Sequence, residues 1–230
     1  MPVCFPLDLN IPKEVLQAYW KFAGDYERCK KWTDMNEEEL WYNLCFCILS
    51  SNVSFETAKS ASLQLYTKNL IDHKDISKQS TKRIADELSK PIYLPRKKDG
   101  SFRRYRFPKR RAADIVNARR FLYEKNEGLI SLLLHCVDAE SARDFLVVNI
   151  SGIGMKQASQ FLRNIKFSES LAIIDSHVLQ YIKKVKGEID CKYISPNKYL
   201  QLEQFMRTIA TSHNLSLAVL DYAIWESMRR

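Results

Sequence analysis

The chain has 230 residues, of which 46% are hydrophobic and 27% charged, and these proportions are typical of a soluble globular protein. No apolar run approaches the roughly 18 residues of a membrane span, and the first residues lack the basic and then apolar pattern of a signal peptide. We therefore expect no membrane association and an intracellular location, in the cytoplasm or nucleoid. The formal net charge is +9 and is unevenly distributed.

The six cysteines, at positions 4, 29, 45, 47, 136 and 191, form no Cys-x-x-Cys pair, and the four histidines are scattered. This spacing fits neither a zinc site nor the four-cysteine array of an iron–sulfur cluster. Cys45 and Cys47 lie within an apolar run and are expected to be buried as small hydrophobic residues. We expect a reduced protein that needs no metal and no dissociable cofactor.

Helical periodicity dominates the first ninety residues. Asn36 and Glu39 have the spacing of a capping pair at one helix start, and Ser54 can cap the next helix. The predicted helices cover residues 12–29 and 40–49, a segment after Ser54 and, more weakly, residues 76–88.

A basic segment interrupts the helices. Pro91 and Pro95 break the helical pattern, and the turn at 98–101 lies between 92–94 and 102–106, which predicts a short β-hairpin inserted at 92–107. Residues 96–111 hold nine Lys/Arg and one Asp, a net charge of +8, interleaved with aromatic residues. This composition favours nucleic acid, through phosphate neutralisation and stacking, about as much as it favours a solvated loop or a localisation signal. The candidate DNA contacts here are Arg103, Arg104, Arg106, Lys109 and Arg110.

The second half of the chain also has a helical pattern. Asp138, Asp175 and Ser195 each stand where an N-cap is expected, and Pro196 follows at a first helical position. The predicted helices cover residues 108–125, 129–135, 139–148, 156–165, 176–184, 196–211 and 215–228.

Two of the six glycines flank a single apolar residue between two of these helices, as Gly152, Ile153 and Gly154. Glycines allow positive φ and a close backbone approach to a ligand, and the free N–H groups of the next helix can face an anion. A helix, a tight glycine turn and a second helix indicate a helix-hairpin-helix motif that binds the DNA backbone without reading its sequence. The alternative is an ordinary helical hairpin with a glycine C-cap.

Lys156 follows this turn in the first turn of its helix, where the helix dipole disfavours a cation. The dipole alone lowers a lysine pKa by well under one unit, so a nucleophilic amine would also need burial, nearby cations or a base. Asp175, 19 residues later, can supply that base or stabilise an oxocarbenium-like sugar. The alternative for Asp175 is a plain N-cap, which is compatible with catalysis.

The stretch GIGMKQASQFLRN followed by AIIDSHVL resembles the catalytic signature of the helix-hairpin-helix DNA glycosylases. It is most similar to the archaeal and bacterial second class of 8-oxoguanine DNA glycosylase/lyases. Supporting blocks are LCFCILSSNVS at 44–54, KRRAADIVNARRF at 109–121 and LDYAIW at 220–225.

The resemblance implies that Lys156 is the Schiff-base nucleophile and Asp175 the carboxylate that assists it. Asn52 matches the residue that fills the gap left by a flipped base, Trp225 one that stacks on the base and Asp221 one that hydrogen-bonds it. The alternatives are a turn or cap residue for Asn52, a core aromatic for Trp225 and a surface acid for Asp221.

The chain also departs from that class in three respects. It ends at Met228-Arg229-Arg230, without the C-terminal lysine that contacts the oxidised base in the class, and its basic segment is longer. The spacing from lysine to aspartate is slightly stretched. The absence of a cysteine array argues against the endonuclease III and adenine-glycosylase branches.

We expect an all-α helix-hairpin-helix glycosylase fold with two helical lobes and a cleft between them. The predicted lobes are a central bundle at 36–165 and a second lobe formed by 1–35 and 166–230. The predicted function is excision of an oxidised purine, 8-oxoguanine by resemblance, followed by strand nicking, with a monomer acting on double-stranded DNA that contains the damaged base. The alternatives are a glycosylase/lyase of the same fold for another damaged base and a non-catalytic DNA-binding protein.

Overall fold

A computed structural model describes residues 11–75, 77, 79–92, 96–187 and 194–229. Within these ranges the chain folds into eleven α-helices and one two-stranded sheet, which confirms the all-α prediction. The chain divides into two compact units, a larger one at Lys30–Phe167 and a smaller one that joins Met1–Cys29 to Ser168–Arg230. None of the described helices is long and apolar enough to cross a membrane.

The elements follow one another in chain order, with a short 3₁₀ turn at Trp32–Asp34 and a π-helical segment at Arg120–Glu124. The helices and strands are α1 (Lys13–Arg28), α2 (Glu37–Leu49), α3 (Phe55–Thr67), α4 (Ser80–Leu88), β1 (Pro91–Ile92), β2 (Arg103–Arg104), α5 (Pro108–Arg119), α6 (Gly128–His135), α7 (Ala139–Asn149), α8 (Met155–Asn164), α9 (Ser176–Lys186), α10 (Pro196–Ser212) and α11 (Leu217–Met228).

The predicted caps explain where several helices begin. Asn36 and Glu39 form a reciprocal capping box on α2, and Ser54 accepts a hydrogen bond from the backbone N–H of Thr57 at the start of α3. Asp138 caps α7 and Ser195 caps α10 in the same way. Each of these caps satisfies a backbone donor that the helix itself leaves unpaired, so the predictions are confirmed.

Most helix bounds differ from the predicted ones by a few residues, and two differ the most. Helix α4 begins at Ser80 rather than 76, because the Asp75 carboxylate accepts hydrogen bonds from the Ser77 backbone N–H and the Ser80 hydroxyl, both at 2.8 Å, and so holds a turn there. The helix predicted at 108–125 is α-helical only to Arg119 and continues as the π segment. Residue 76 itself lies outside the described residues.

Helix α2 is the centre of the larger unit. Its Leu40, Leu44, Cys45, Cys47 and Ile48 are fully buried, and it packs against α3, α5, α6 and α8. Burial of this much apolar side chain is the main favourable term for such a bundle. The prediction that both cysteines act as buried small hydrophobic residues is confirmed.

The predicted β-hairpin is present but short. The strands are antiparallel, with Pro91 opposite Arg104 and Ile92 opposite Arg103, whereas the predicted pairing reached residues 94 and 106. Residues 93–95 lie outside the described residues. Beyond the strand the chain turns inward, where the buried Tyr105 hydroxyl donates to the Leu49 carbonyl at 2.6 Å.

The smaller unit is built on α11. Helices α1, α9 and α10 all pack against it, and its Ala218, Leu220, Ala223 and Ile224 are fully buried. The first and last helices of the chain thus share one core.

Candidate active site

The turn between α7 and α8 has the helix–turn–helix form that the sequence predicts. Gly152 lies in the left-handed region, with φ of 81°, where a side chain would be strained. Gly154 does not, because its φ of −114° and ψ of −176° are extended. The positive φ expected of the Gly-Ile-Gly turn is therefore confined to its first glycine.

A buried carboxylate supports this turn. Asp114 of α5 accepts hydrogen bonds from the Ser151 hydroxyl at 2.7 Å and from Arg111 Nη1 at 2.8 Å. A Cβ placed on Gly152 would lie 2.8 Å from Asp114 Cγ. The turn is therefore fixed both by backbone conformation and by a charged contact, which no local sequence pattern indicates.

The start of α8 has the features of an anion site. Gly154 is its N-cap and provides no side-chain cap, so the first-turn N–H groups keep their hydrogen-bonding capacity for a ligand. Ile153 is buried, at 7% exposure, and its side chain holds the turn against the core. The arrangement can hold a phosphate against the backbone.

Lys156 lies in the first turn of α8 and is half-buried. Its Nζ donates to Gln160 Oε1 at 2.7 Å. Phe161 and Arg163 are both buried on the same helix.

The Cys47 thiol of α2 lies close enough to Lys156 for an electrostatic interaction between them. Burial raises the pKa of this thiol to about 12, although the lysine charge lowers it somewhat. The thiol therefore stays protonated near neutral pH and provides no anion for the ammonium.

Asp175 is the N-cap of α9. Its Oδ1 accepts hydrogen bonds from the backbone N–H groups of His177 and Val178, both at 2.9 Å. Oδ2 receives no hydrogen bond from the described residues. The capping prediction is confirmed, and one carboxylate oxygen stays available for chemistry.

Three buried side chains hold the segment that leads to Asp175. Glu203 accepts from the Ala172 N–H at 2.9 Å, and Asp221 accepts from the Ile173 N–H at 2.7 Å. The Tyr199 hydroxyl donates to the Ala172 carbonyl at 2.7 Å and accepts from the Ile174 N–H at 3.2 Å. Backbone donors and acceptors on this segment are thus satisfied by side chains rather than by a helix or sheet.

The burial of Asp221 excludes one of the two interpretations of this residue. The residue is 2% exposed, so its interpretation as a surface acid is wrong. Its position in α11 was predicted from the LDYAIW block, but its backbone partner, 48 residues earlier, carries no local signal.

Trp225 is half-buried on α11. Its ring lies 5.5 Å from that of Tyr222 and 6.5 Å, edge to face, from that of His177. The Arg229 guanidinium lies 4.3 Å from the centre of the Trp225 ring. An aromatic side chain with this exposure can stack on a flat ligand, which a fully buried core residue cannot.

Asn52 lies in the turn after α2, exposed and with φ of 60°. Asparagine tolerates this left-handed conformation better than most residues. The turn interpretation is therefore compatible with an exposed side chain that reaches toward a ligand.

The basic segment presents its charges to solvent. Arg104, Arg106, Lys109 and Arg110 are exposed and Arg103 is half-buried. The Arg106 guanidinium lies 5.0 Å from the centre of the Phe107 ring. Exposed cations beside aromatic rings can pair with phosphates and stack on bases.

The predicted site residues divide between the two units. The turn at 152–154, Lys156, Asn52 and the basic segment belong to the larger unit, and Asp175, Asp221 and Trp225 belong to the smaller one. Among the described residues, no cluster of three or more His, Cys, Asp or Glu side chains is arranged to hold a metal ion.

Comparisons with known proteins agree with this arrangement. A family model described as 8-oxoguanine DNA glycosylase matches residues 23–215. An 8-oxoguanine DNA glycosylase/AP lyase of Saccharolobus islandicus is 33% identical over 195 residues, which cover 84% of this chain and 84% of that protein.

Solved structures give the same result. The 8-oxoguanine DNA glycosylase of Methanocaldococcus jannaschii matches with a TM-score of 0.69 and 30% identity, over 93% of this chain and 87% of that one. The same enzyme in complex with a 15mer DNA containing 8-oxoguanine matches with a TM-score of 0.68 and 29% identity, over 92% of this chain and 87% of that one. With the sequence signature, the helical fold and these matches together, the chain belongs to the 8-oxoguanine DNA glycosylase family.

Proposed function

We propose that this chain is a bifunctional DNA glycosylase/AP lyase that removes an oxidised purine, 8-oxoguanine, from double-stranded DNA and then nicks the strand. The names of its relatives support the reaction, since a protein 33% identical to it is an 8-oxoguanine DNA glycosylase/AP lyase. The similar Methanocaldococcus structure holds 8-oxoguanine DNA and supports the substrate. The enzyme acts as a monomer on damaged duplex DNA.

The turn at Gly152, Ile153 and Gly154 holds a backbone phosphate at the start of α8. The basic segment, through Arg103, Arg104, Arg106, Lys109 and Arg110, neutralises further phosphates. Such contacts position the enzyme on any sequence, because they touch no base edge. Recognition then depends on the base that is turned out of the duplex.

The damaged base leaves the stack and enters a pocket in which Trp225 stacks on its face and Asp221 hydrogen-bonds it. The half-exposed ring of Trp225 supports the first role. The hydrogen bond from the Ile173 N–H to Asp221 Oδ2 fixes the orientation of that carboxylate, which supports the second role. Asn52 fills the space that the base has left.

The neutral amine of Lys156 attacks C1′ of the deoxyribose, and the glycosidic bond breaks as the base departs. Loss of a proton and ring opening give an imine between Nζ and C1′. Abstraction of a C2′ proton then expels the 3′ phosphate by β-elimination. Asp175 takes the proton from the amine and stabilises the positive charge that develops on the sugar.

The observation that carries this proposal is the place of the Lys156 amine. It lies two residues after the phosphate-binding turn and donates to an uncharged amide oxygen at 2.7 Å. A lysine with a purely structural role would be disfavoured at a helix start by the helix dipole. A chemical role explains the position of Lys156 better than a structural role does.

Borohydride trapping tests the proposal. With duplex DNA that contains 8-oxoguanine, the wild-type protein is expected to give a reduced covalent adduct, because borohydride converts an imine to a stable amine. Lys156→Gln is expected to give no adduct while it still binds the duplex. Lys82→Gln, which removes an exposed lysine of α4, is the matched control and is expected to trap normally.

A panel of duplexes that each carry one lesion completes the experiment. Faster base release from 8-oxoguanine than from other oxidised or alkylated purines is expected. Preference for another lesion would contradict the proposed substrate, and the absence of an adduct on every lesion would contradict the enzymatic function.

A further inference from the structure

The residue one helical turn after Lys156 is buried and contacts its amine. Gln160 is 8% exposed, and its Oε1 accepts the hydrogen bond from Lys156 Nζ at 2.7 Å. Residues i and i+4 lie on the same face of a helix. The two side chains therefore meet because α8 places them together.

The orientation of the Gln160 amide follows from its partners. An ammonium is only a donor, so the amide oxygen rather than the NH₂ group must face Lys156. The Ser50 hydroxyl also lies 3.2 Å from the same oxygen and 2.8 Å from the Cys47 carbonyl, and shares its proton between them. Ser50 thus holds the amide from α2 while the oxygen bonds the amine.

Near the start of α8 within the larger unit, the Asp114 carboxylate is paired with Arg111 and Ser151. Two further groups there are not carboxylates. On α2, the Cys47 thiol lies within the electrostatic range of Lys156, and burial raises the pKa of this thiol to about 12, so the thiol is neutral. From α7 the buried Arg143 contacts α8 at Ser159, 3.4 Å from its hydroxyl. Within α8, the Lys156 amine is hydrogen-bonded to the Gln160 amide. An amide stabilises the ammonium form far less than a carboxylate in the same place would.

We infer that Gln160 is a positioning residue for the nucleophilic amine: it fixes the direction of Nζ without stabilising the ammonium as an acidic side chain would. This inference rests on the proposed function of Lys156. A neutral amine has two N–H bonds and one lone pair. With one N–H held on Gln160 Oε1, rotation about the Cε–Nζ bond is restricted and the lone pair points away from the amide.

The proton balance is consistent with this role. Before attack the ammonium must lose a proton, and an amide oxygen is far too weak a base to take it. The proton goes to Asp175 or to water, while the hydrogen bond to Gln160 persists in both charge states of the amine. Gln160 orients the nucleophile but transfers no proton.

The test is the pH dependence of imine formation under single-turnover conditions, with enzyme in excess over an 8-oxoguanine duplex. The rate of the wild-type protein is expected to rise with pH as Lys156 loses its proton. In Gln160→Glu, a carboxylate beside the amine favours the ammonium, so the midpoint is expected to move upward by about one to three pH units. Gln157→Glu puts the same charge on the same helix without facing the amine, and is expected to move the midpoint much less.

Gln160→Leu removes the acceptor and keeps the volume close to that of the amide. Its maximal rate is expected to fall by about tenfold to a hundredfold, since a misdirected nucleophile is costly, and its midpoint is not expected to rise. Ser50→Ala, which removes only the hydroxyl behind the amide, is expected to cause a smaller loss of the same kind. DNA affinity is expected to stay near that of the wild type in Gln160→Leu and Ser50→Ala, which introduce no charge.

A wild-type midpoint in a folded Gln160→Glu, or a wild-type maximal rate in Gln160→Leu, would overturn the inference. If circular dichroism shows that Gln160→Glu does not fold, Gln160→Leu and Ser50→Ala decide the question. Failure of the wild-type protein to form any adduct would instead contradict the proposed function, so the two failures are distinguishable.

Discussion

Asp175 has a structural task as the N-cap of α9 and, in the proposed mechanism, a chemical task as well. Its Oδ1 caps α9 through two hydrogen bonds of 2.9 Å, and this fixes the direction of the second oxygen. Hydrogen bonds to Tyr199, Glu203 and Asp221 hold the backbone of residues 172–174, just before Asp175, in place. A carboxylate oriented in this way loses little entropy when it acts, which is how preorganised groups lower a barrier.

The variant Asp175→Asn separates the two tasks. Asparagine is as good an N-cap as aspartate, so the melting temperature and the affinity for DNA are expected to stay close to those of the wild type. The amide can neither accept the amine proton nor stabilise a cationic sugar, so the single-turnover rate is expected to fall by about a hundredfold or more. Normal turnover would show that Asp175 is only a cap.

Sequence patterns identify the residues that carry a motif, but they do not identify the partners of those residues. Lys156 and Asp175 could be proposed as site residues because a glycine turn and an apolar approach mark them locally. Gln160 shares its helix with Lys156, yet the hydroxyl that bonds its amide oxygen belongs to Ser50, 110 residues earlier. Asp114 beneath Gly152 is likewise fixed by long-range packing, which no local pattern encodes.

At the scale of elements, the basic segment and the turn at 152–154 are expected to contribute separately to DNA binding. The hairpin and the start of α5 carry the charge, whereas the turn carries the backbone N–H groups. Loss of the charges should therefore weaken binding of any duplex without changing which lesion is excised.

Replacement of Arg104, Arg106, Lys109 and Arg110 by glutamine tests this. Affinity for damaged and undamaged duplexes is expected to fall together. The slope of log affinity against log salt is expected to become shallower by about 0.9 for each phosphate that the variant no longer neutralises. Fluorescence anisotropy at several salt concentrations measures both quantities.

The control for this series is the double variant Lys59→Gln, Lys82→Gln, which removes exposed lysines of α3 and α4. It is expected to leave the salt slope nearly unchanged. An equal decrease in affinity per charge removed, in the four-residue variant and in the two-residue control, would mean that the charge acts through the net field of the protein rather than through the basic segment.

Elements with strong local signals were predicted closely, and those that depend on distant contacts were not. Helices with side-chain caps, such as α2 and α7, begin within a few residues of the prediction. The π segment at Arg120–Glu124 was not foreseen. It follows Arg119, whose buried guanidinium lies 3.7 Å from the Asp75 carboxylate, a contact that helical periodicity does not reveal.

At the scale of the whole molecule, stability depends on a few buried charges as well as on the apolar core. Burial alone would raise the pKa of Glu87, but hydrogen bonds from Lys90, Gln64 and Lys68 outweigh it and lower the pKa from 4.5 to about 2. Because the folded pKa is depressed, the carboxylate stabilises the fold above pH 4.5, and this contribution is lost as pH falls toward 2.

Glu87→Gln is therefore expected to lower the free energy of unfolding at neutral pH by about 2 kcal/mol, the usual value of hydrogen bonds to a charged group. The difference from the wild type is expected to shrink as pH falls through the window between 4.5 and about 2. Urea denaturation at a series of pH values measures it. A difference independent of pH would show that size or packing, rather than charge, is responsible.

The expectation of two lobes already places residues 1–35 and 166–230 together, but local patterns do not reveal that α1 and α11 pack directly against each other. Each helix was predicted separately from its periodicity. The contact joins residues far apart in the chain: the Ser227 hydroxyl of α11 donates to the Glu14 carbonyl of α1, 213 positions earlier.

The most direct test of the central claim is to map the covalent adduct. After borohydride reduction with an 8-oxoguanine duplex, digestion of the DNA and the protein followed by peptide mass spectrometry should place the sugar remnant on Lys156. Attachment to any other residue, or the absence of a modified peptide after complete reaction, would contradict the account.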